Sequence, residues 1–521
     1  MPTRDENRKN EYRAAAQLYE SYKRVGRDGD ASSDKRQYLQ HVTERSGHST
    51  QPVRRETLTE KKYLFRGICT IILTAIAAGT FFYVWHGFVE DYNNTDRLLG
   101  YGNLSMVVII YVLLYLLVGK GLRAFNIGKE RITNIVVSQA LTVFIVDIAE
   151  IFVSMAVQNQ WRYIGMLAEV YLVLGLVQSV VLGMLVAPMI RAYKTTFPPL
   201  DLIEIYGKQN GVYERINRLS DKYNISEAAY ASRYDFDEIV EKIKRHEAVL
   251  INDLPSQQKN LILKTCFDLD KRVYVVPKIS DVIMKASEEL NVIDTPMFMC
   301  RNQEISGFQR FVKRIMDVVL SSIALVILSP VMVVTAIAIK REDGGSVFFR
   351  QDRCTEGNRE FEILKFRSMR EDSGDTLSPT STDDDRITKV GKVIRAWRID
   401  ELPQLINIIR GDMSIVGPRP ERVEHVKKYT ELIPEFKFRS KMKGGLTGYA
   451  QVYGRYNTSA LDKLKLDLIY ITQYSLLTDI QIIFETVKIL ALKESTEGFH
   501  SSGLIEEDLE KVREEFELRE K

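Results

Sequence analysis

Four long apolar runs, near 66–88, 104–122, 132–157 and 164–190, constrain this chain more than any other feature. Each is long enough to cross a hydrocarbon core of ~30 Å as a helix. A buried soluble helix would explain any one run, but not four in succession. Basic residues then set the direction. Arg54, Arg55, Lys61 and Lys62 precede the first run; Lys120, Arg123, Lys129 and Arg131 separate the second and third; Arg191 and Lys194 follow the fourth. The other two loops hold only Arg97, beside Glu90, Asp91 and Asp96, and Arg162. The expectation is a four-helix transmembrane bundle with both ends in the cytosol and the 89–103 and 158–163 connections outside. Asp147 and Glu150 share one face of the third run, and Glu169 lies in the fourth. Carboxylates at such depth are costly and mark a pathway or a partner. With no basic partner visible in the runs, pairing as protonated carboxyls between helices or across a dimer is preferred to transport.

A fifth apolar run, 315–339, differs from the others. Lys313 and Arg314 stand before it, Lys340 and Arg341 after it, and Ser329-Pro330 interrupts it. Pro330 removes one helical hydrogen bond, and Ser329 can help satisfy the freed carbonyl. Basic residues at both ends favour a re-entrant helix, kinked there and returning to the cytosolic face, over a kinked spanning one.

The chain of 521 residues is long enough for two or three domains, and 72 Lys and Arg against 69 Asp and Glu leave it near neutral, without the basic footprint of a nucleic-acid binder. Cys69, Cys266, Cys300 and Cys354 lack disulfide or metal-ligand spacing, as suits a reduced compartment. The expected organisation is a polar cytosolic segment at 1–62 without a cleaved signal, the bundle at 63–194, an α/β domain at 195–305, the re-entrant helix with a mixed α/β catalytic domain at 306–495, and a charged tail at 496–521. A short helix near 10–24 is compatible with the first segment. In 195–305, strands are expected at 202–207, 247–251 and 272–277, with helices at 211–223, 235–245 and 256–270. This alternation reads as a small Rossmann-like parallel domain. Only Gly207 and Gly211 follow its first strand, short of a dinucleotide fingerprint, so a regulatory or dimerising role is preferred to nucleotide binding.

The chemistry points to Asp400-Glu401, followed by Gly417-Pro418-Arg419-Pro420 and preceded by Lys365-Phe366-Arg367-Ser368-Met369. Adjacent carboxylates among cations suit a phosphorylated, metal-bound substrate. One carboxylate holds Mg²⁺, the other attacks phosphorus, and the cations hold phosphate oxygens. The run Asp383-Asp384-Asp385-Arg386 reads instead as a polar loop.

These segments occur in order with Lys313-Arg314-Ile315-Met316-Asp317, Ser329-Pro330, Val347 through Arg353, and Leu446-Thr447-Gly448-Tyr449-Ala450-Gln451-Val452 with Gly454-Arg455. The set resembles the bacterial polyprenyl-phosphate phosphosugar transferases (monotopic phosphoglycosyl transferases), in particular the long-chain type. The resemblance implies transfer of a hexose 1-phosphate from a UDP-sugar to undecaprenyl phosphate, starting capsule, exopolysaccharide or O-antigen assembly at the cytosolic face of the inner membrane. It implies Asp400 as nucleophile, Glu401 as Mg²⁺ ligand, and Lys365, Arg367, Arg419 and Arg353 as phosphate binders. Gln451 and Arg455 would contact nucleotide or sugar, and Asp412 and Asp467 would orient cations. Membrane lipid and a second copy of the chain are the further expected partners, and nucleic acid is not. Two positions depart from the family pattern: Gly444 stands where Pro is usual and Thr355 where Gly is common. A catalytically silent scaffold and a small transporter are the alternatives. The intact Asp-Glu pair argues against the first, and the presence of only three acidic residues in the runs against the second.

Overall fold

The computed structural model describes residues 56–92, 101–158, 161–207, 223–292, 295–300, 305–370, 386–454 and 458–491. The expected features at 10–24, 211–222, 383–385, Arg455 and 496–521 lie outside them. The chain divides into two compact units, one running to Val276 and one starting at Pro277.

In the first unit the apolar runs become helices α1 (Glu56–Tyr92), α2 (Tyr101–Gly121), α3 (Ile132–Gln158) and α4 (Ile164–Thr196). Each packs most extensively against two others, which closes a ring from α1 through α2 and α3 to α4 and back. Aromatic side chains fill the centre: Phe81 stacks on Tyr111 at 4.1 Å, with Trp85, Tyr115 and Tyr171 fully buried around them. Large apolar groups such as Ile71, Leu117 and Met184 point outward, while Ser138, Gln139, Thr142, Asp147, Glu150, Ser154 and Gln178 are buried. A hydrocarbon surrounding favours that arrangement, because it does not penalise exposed apolar groups and does penalise exposed polar ones. All four are long and apolar enough to cross a membrane, and so is the helix Gly307–Asp343 of the second unit.

The sheet that follows comprises β1 (Leu200–Tyr206), β2 (Tyr223–Tyr230), β3 (Ala248–Asn252) and β4 (Arg272–Val275), with helices α5 (Phe236–Arg245) and α6 (Ser256–Asp268). It is wholly parallel in the order β2-β1-β3-β4. Central β3 is buried at every residue, as a strand covered on both faces must be. Three strands and two helices fall where the sequence placed them. Strand β2 is new, and Tyr223, assigned to a helix on periodicity, opens it instead. An edge strand buries only some of its residues, here Ile225 and Ala229, and carries too weak a pattern to stand out.

The second unit begins with α7 (Ile279–Lys285) and the hairpin β5 (Glu288–Val292) and β6 (Thr295–Met299). Next comes α8 (Gly307–Asp343), capped by the Ser306 hydroxyl and closed by Gly344 at φ 75°. It is helical throughout, including Pro330, where the sequence suggested an interruption. The Ser329 hydroxyl donates to the Val326 carbonyl at 2.8 Å, the acceptor that a proline at 330 leaves without its N–H. The rest is the mixed α/β assembly the sequence suggested: antiparallel β7 (Phe348–Cys354) and β8 (Glu360–Phe366), α9 (Lys389–Ala396), α10 (Gln404–Arg410), β9 (Ser414–Val416), α11 (Val423–Leu432), β10 (Gly445–Thr447), α12 (Tyr449–Tyr453), α13 (Ala460–Thr472) and α14 (Leu476–Ala491). Strands β9 and β10 pair in parallel. Their approach is so close that a Cβ on Gly417 would meet the Lys443 carbonyl oxygen at 2.2 Å.

Helix α8 is tied to this assembly along its length. Lys313 reaches Asp479 at 2.6 Å and the Val416 carbonyl at 2.9 Å. Arg314 donates to the carbonyls of Ile408 and Ile409 at the end of α10, and Asp317 accepts from Ser414 and from the Ile415 amide. Beyond Pro330, Met332, Ala336 and Ile339 pack with Phe366 and Ile394, and Asp343 pairs with Arg367. Its other face presents Ile323, Val326, Ile327, Val333, Val334 and Ile337 outward.

Candidate active site

Asp400 and Glu401 lie in a single 3₁₀ turn, Ile399–Glu401, between α9 and α10. Arg398 enters it with left-handed backbone, φ 54° and ψ 24°. A side-chain-bearing residue pays about 1–2 kcal/mol for that conformation, which the packed surroundings must offset. Pro403 follows at the helix start, where its missing N–H costs nothing.

Two cations converge on Glu401. Arg419 Nη2 donates to its Oε1 at 2.8 Å, and Lys365 Nζ, near the end of β8, lies 3.6 Å from the same oxygen. Burial pushes the Glu401 carboxyl up, but the Arg419 and Lys365 charges outweigh it and hold the group well below the usual carboxylate range. Asp400 moves the other way, raised by burial and by the Glu401 charge against the pull of Lys365, Arg395 and Arg419. Two adjacent carboxyls thus differ in basicity because the cations favour one of them. Burial pushes the Lys365 ammonium down to about 8, against the pull of Glu401. Glu401 in turn raises the Arg419 guanidinium.

A second set of ions lies behind Arg419. Arg439, buried, donates Nε to Asp467 at 2.6 Å and Nη2 to the Arg419 carbonyl at 3.1 Å, with Glu421 at 3.8 Å from Nη1. Its guanidinium also lies 4.8 Å over the Phe436 ring. The relay from Asp467 through Arg439 fixes the backbone from which Arg419 reaches Glu401. A small cavity of about 30 Å³ lies there, lined in part by Arg419, Glu421, Arg439, Thr355 and Gly444. The Thr355 hydroxyl accepts from the Gly444 amide at 3.1 Å and donates to the Asp412 carbonyl at 2.9 Å.

Lys365, Arg419, Asp400 and Glu401 therefore come together as the sequence suggested. Arg353 is near: it donates to Gln351 and to the Pro420 carbonyl at 3.1 Å, and its charge acts on Lys365. Burial lowers it to about 10. Arg367 is placed otherwise, buried and paired with Asp343 at the end of α8. Gln451 donates weakly to the Leu446 carbonyl at 3.3 Å, and its Oε1 is buried without a partner among the described residues. Asp412 pairs with Arg359 at 3.1 Å, and Asp467 holds Arg439. Arg395, Arg398, Glu421 and Arg439 were not picked out by sequence. The first two flank the Asp-Glu pair closely enough to have been noticed, whereas Arg439 is 28 residues from Asp467 and no local signal joins them.

Fold and site define a membrane protein of apolar helices whose second unit sets two unlike carboxyls among buried cations. The bacterial sugar transferase family profile matches residues 308–493. The UDP-N-acetylgalactosamine-undecaprenyl-phosphate N-acetylgalactosaminephosphotransferase of Aeromonas hydrophila is 44% identical over 187 residues, covering 35% of this chain and 44% of that protein. The UDP-glucose:undecaprenyl-phosphate glucose-1-phosphate transferase of Escherichia coli K12 is 39% identical over 213 residues, 40% of this chain and 46% of its own. The exopolysaccharide production protein ExoY of Sinorhizobium fredii is 38% identical over 200 residues, 35% of this chain and 87% of its own. The chain thus spans about half the length of the first two relatives and most of the third. It belongs to the bacterial sugar transferase family.

Proposed function

We propose that the chain transfers a hexose 1-phosphate from a UDP-sugar to undecaprenyl phosphate, through a covalent phosphosugar on Asp400, at the cytosolic face of a bacterial inner membrane. The observation that carries this reading is Glu401 held by Arg419 at 2.8 Å and Lys365 at 3.6 Å, directly beside Asp400. The names of the relatives, undecaprenyl-phosphate sugar phosphotransferases and an exopolysaccharide production protein, support the substrate classes and the pathway.

An oxygen of ionised Asp400 attacks the sugar-side phosphorus. The new O–P bond forms as the bridging P–O bond breaks, and its electron pair leaves with UMP. An oxygen of the lipid phosphate then attacks the same phosphorus. The acyl phosphate bond breaks, returning its electron pair to Asp400 and releasing the lipid-linked diphosphate sugar. Raised basicity makes Asp400 the better nucleophile once ionised, and Lys365 and Arg419 offset the negative charge that a diphosphate brings near it. Mg²⁺ fits this donor set, since it commonly takes one or two carboxylates and completes its shell with substrate phosphates and water. Glu401, kept ionised beside Asp400, would hold it, and it would neutralise phosphate oxygens.

Helix α8 supports a re-entrant placement. It has 37 residues, about 55 Å at 1.5 Å per residue, well beyond a ~30 Å hydrocarbon core. Yet Asp317 before Pro330 and Ile339 after it both pack into the same globular assembly. A straight crossing would separate them. The outward apolar stripe between them is the part the bilayer would cover.

Membranes carrying the full chain, given labelled UDP-hexoses and undecaprenyl phosphate, are expected to form a butanol-extractable product and release UMP. Absence of product from every UDP-hexose, with the protein inserted and folded, would overturn the assignment.

A further inference from the structure

The ring of helices α1 to α4 encloses a buried polar seam that transfer chemistry does not use. Gln139 donates to the Ala124 carbonyl at 3.0 Å and accepts from Tyr115 at 2.6 Å. Gln178 joins Tyr111, the Ala77 carbonyl at 3.0 Å and Thr80 at 2.9 Å. Ser154 and Tyr171 share a hydrogen bond of 3.0 Å. Into this seam α3 directs two carboxyls, Asp147 at 2% exposure and Glu150 at 0%. None of their four oxygens has a hydrogen-bond partner among the described residues. The buried side chains of the four helices include no Lys, Arg or His among the described residues. Gly175 on α4 lets that helix approach α3 closely: a Cβ there would come 3.0 Å from the Phe144 ring and 3.1 Å from Asp147 Oδ2.

An unpaired carboxylate is costly at this depth, and a neutral carboxyl whose O–H meets no acceptor is costly too. Neutralisation by a proton alone therefore leaves the deficit in place. A monovalent ion bridging the pair, with one proton retained on the pair, neutralises both carboxyls and coordinates their oxygens. Residues three apart on a helix have Cβ atoms about 5–6 Å apart, within bridging reach of one ion. The donors are all oxygens, the set that hard cations take.

We propose that Asp147 and Glu150 form a buried site for a small hard cation of the sodium type, set in the polar seam between the helices. The ion serves as a structural pin between α2, α3 and α4, independent of the transfer chemistry.

The test uses the full chain in nanodiscs with radioactive sodium as the probe. Saturable binding is expected, competed by lithium and insensitive to choline at equal ionic strength. It should be lost in the isosteric Asp147→Asn/Glu150→Gln double variant, while transferase activity and helical circular dichroism persist. A second readout needs no variant. Carbodiimide modification of the peptide carrying Asp147 and Glu150, followed by mass spectrometry, should slow as sodium is added. Absence of saturable binding by the wild type, binding retained in a folded double variant, or sodium-independent modification would each overturn the proposal. The last would leave the pair as proton carriers.

Discussion

The two units keep buried charge in opposite ways. Around Asp400 and Glu401 the buried ions are countered: Glu401 by Arg419 and Lys365, Asp467 by Arg439, Asp479 by Lys313. Inside the helical ring Asp147 and Glu150 meet no partner among the described residues. A countered charge inside a protein fixes geometry, because moving either partner strands the other. On the proposal above, the uncountered pair is answered by an ion that holds the helices together. The second unit thus fixes its carboxyls with its own cations, and the first relies on a charge from solution.

The strongest challenge to this contrast is removal of the nucleophile. Asp400→Asn is nearly isosteric and should lower transfer by at least about 10³-fold with insertion and folding intact, a loss of the kind seen when a covalent nucleophile is deleted. Near wild-type turnover would take Asp400 out of the chemistry.

Breaking the countering ion comes next. Arg419→Ala strands Glu401 with Lys365 alone and should reduce kcat by about 10²- to 10³-fold, the scale of losing one preorganised charged group. Arg419→Lys should recover little, since a point charge does not replace the guanidinium's directed donors. The relay behind it is tested by Asp467→Asn. That change leaves Arg439 short of its partner and should cost about 3–5 kcal/mol of stability in the second unit, read by chemical denaturation. If helix and pocket are as separate as the contrast implies, Asp147→Asn should leave kcat/KM unchanged.

The pH profile sharpens the same distinction. Asp400 must be ionised to attack, and its proton affinity is raised, so the acid limb should fall at a pH above the usual aspartate range. Lys365 must be charged to hold phosphate, so activity should decline as pH rises through about 8. In Lys365→Arg the alkaline limb should move beyond the measurable range, because guanidinium stays charged. A limb unchanged in that variant would assign it elsewhere.

The smallest effect concerns α8. Ser329→Ala removes the hydroxyl that occupies the Val326 carbonyl and should destabilise the unit by about 1 kcal/mol. Combined with Pro330→Ala, which restores the backbone donor, that loss should largely disappear.

Much of this was legible in the sequence for physical reasons. Membrane-length helices need continuous apolar runs, and buried parallel strands such as β3 read as unbroken apolar stretches. Asp400-Glu401 and its cations were legible because adjacent carboxylates with Lys- and Arg-bearing segments on either side stand out locally. The rest depended on contacts between distant segments. Arg439 and Asp467 meet only in the fold, the edge strand β2 lacks a strong period, and Arg367 turns to Asp343 instead of the pair. The orphan state of Asp147 and Glu150 was likewise out of reach, since sequence gives the charge and only packing tells whether anything answers it.

The bond between Thr355 and Gly444 carries a consequence for how such a chain can change over generations. These are the two positions at which the sequence was read as departing from the family pattern, which would put a glycine without a hydroxyl at one and a proline without an N–H at the other. Here both acceptor and donor are present, and they satisfy each other. Loss of the Thr355 hydroxyl alone leaves both the Gly444 N–H and the Asp412 carbonyl without it, whereas loss of the Gly444 N–H alone leaves that hydroxyl its bond to Asp412. The two sites are therefore coupled unequally, and the single hydroxyl is the side of the exchange that the backbone on both sides feels.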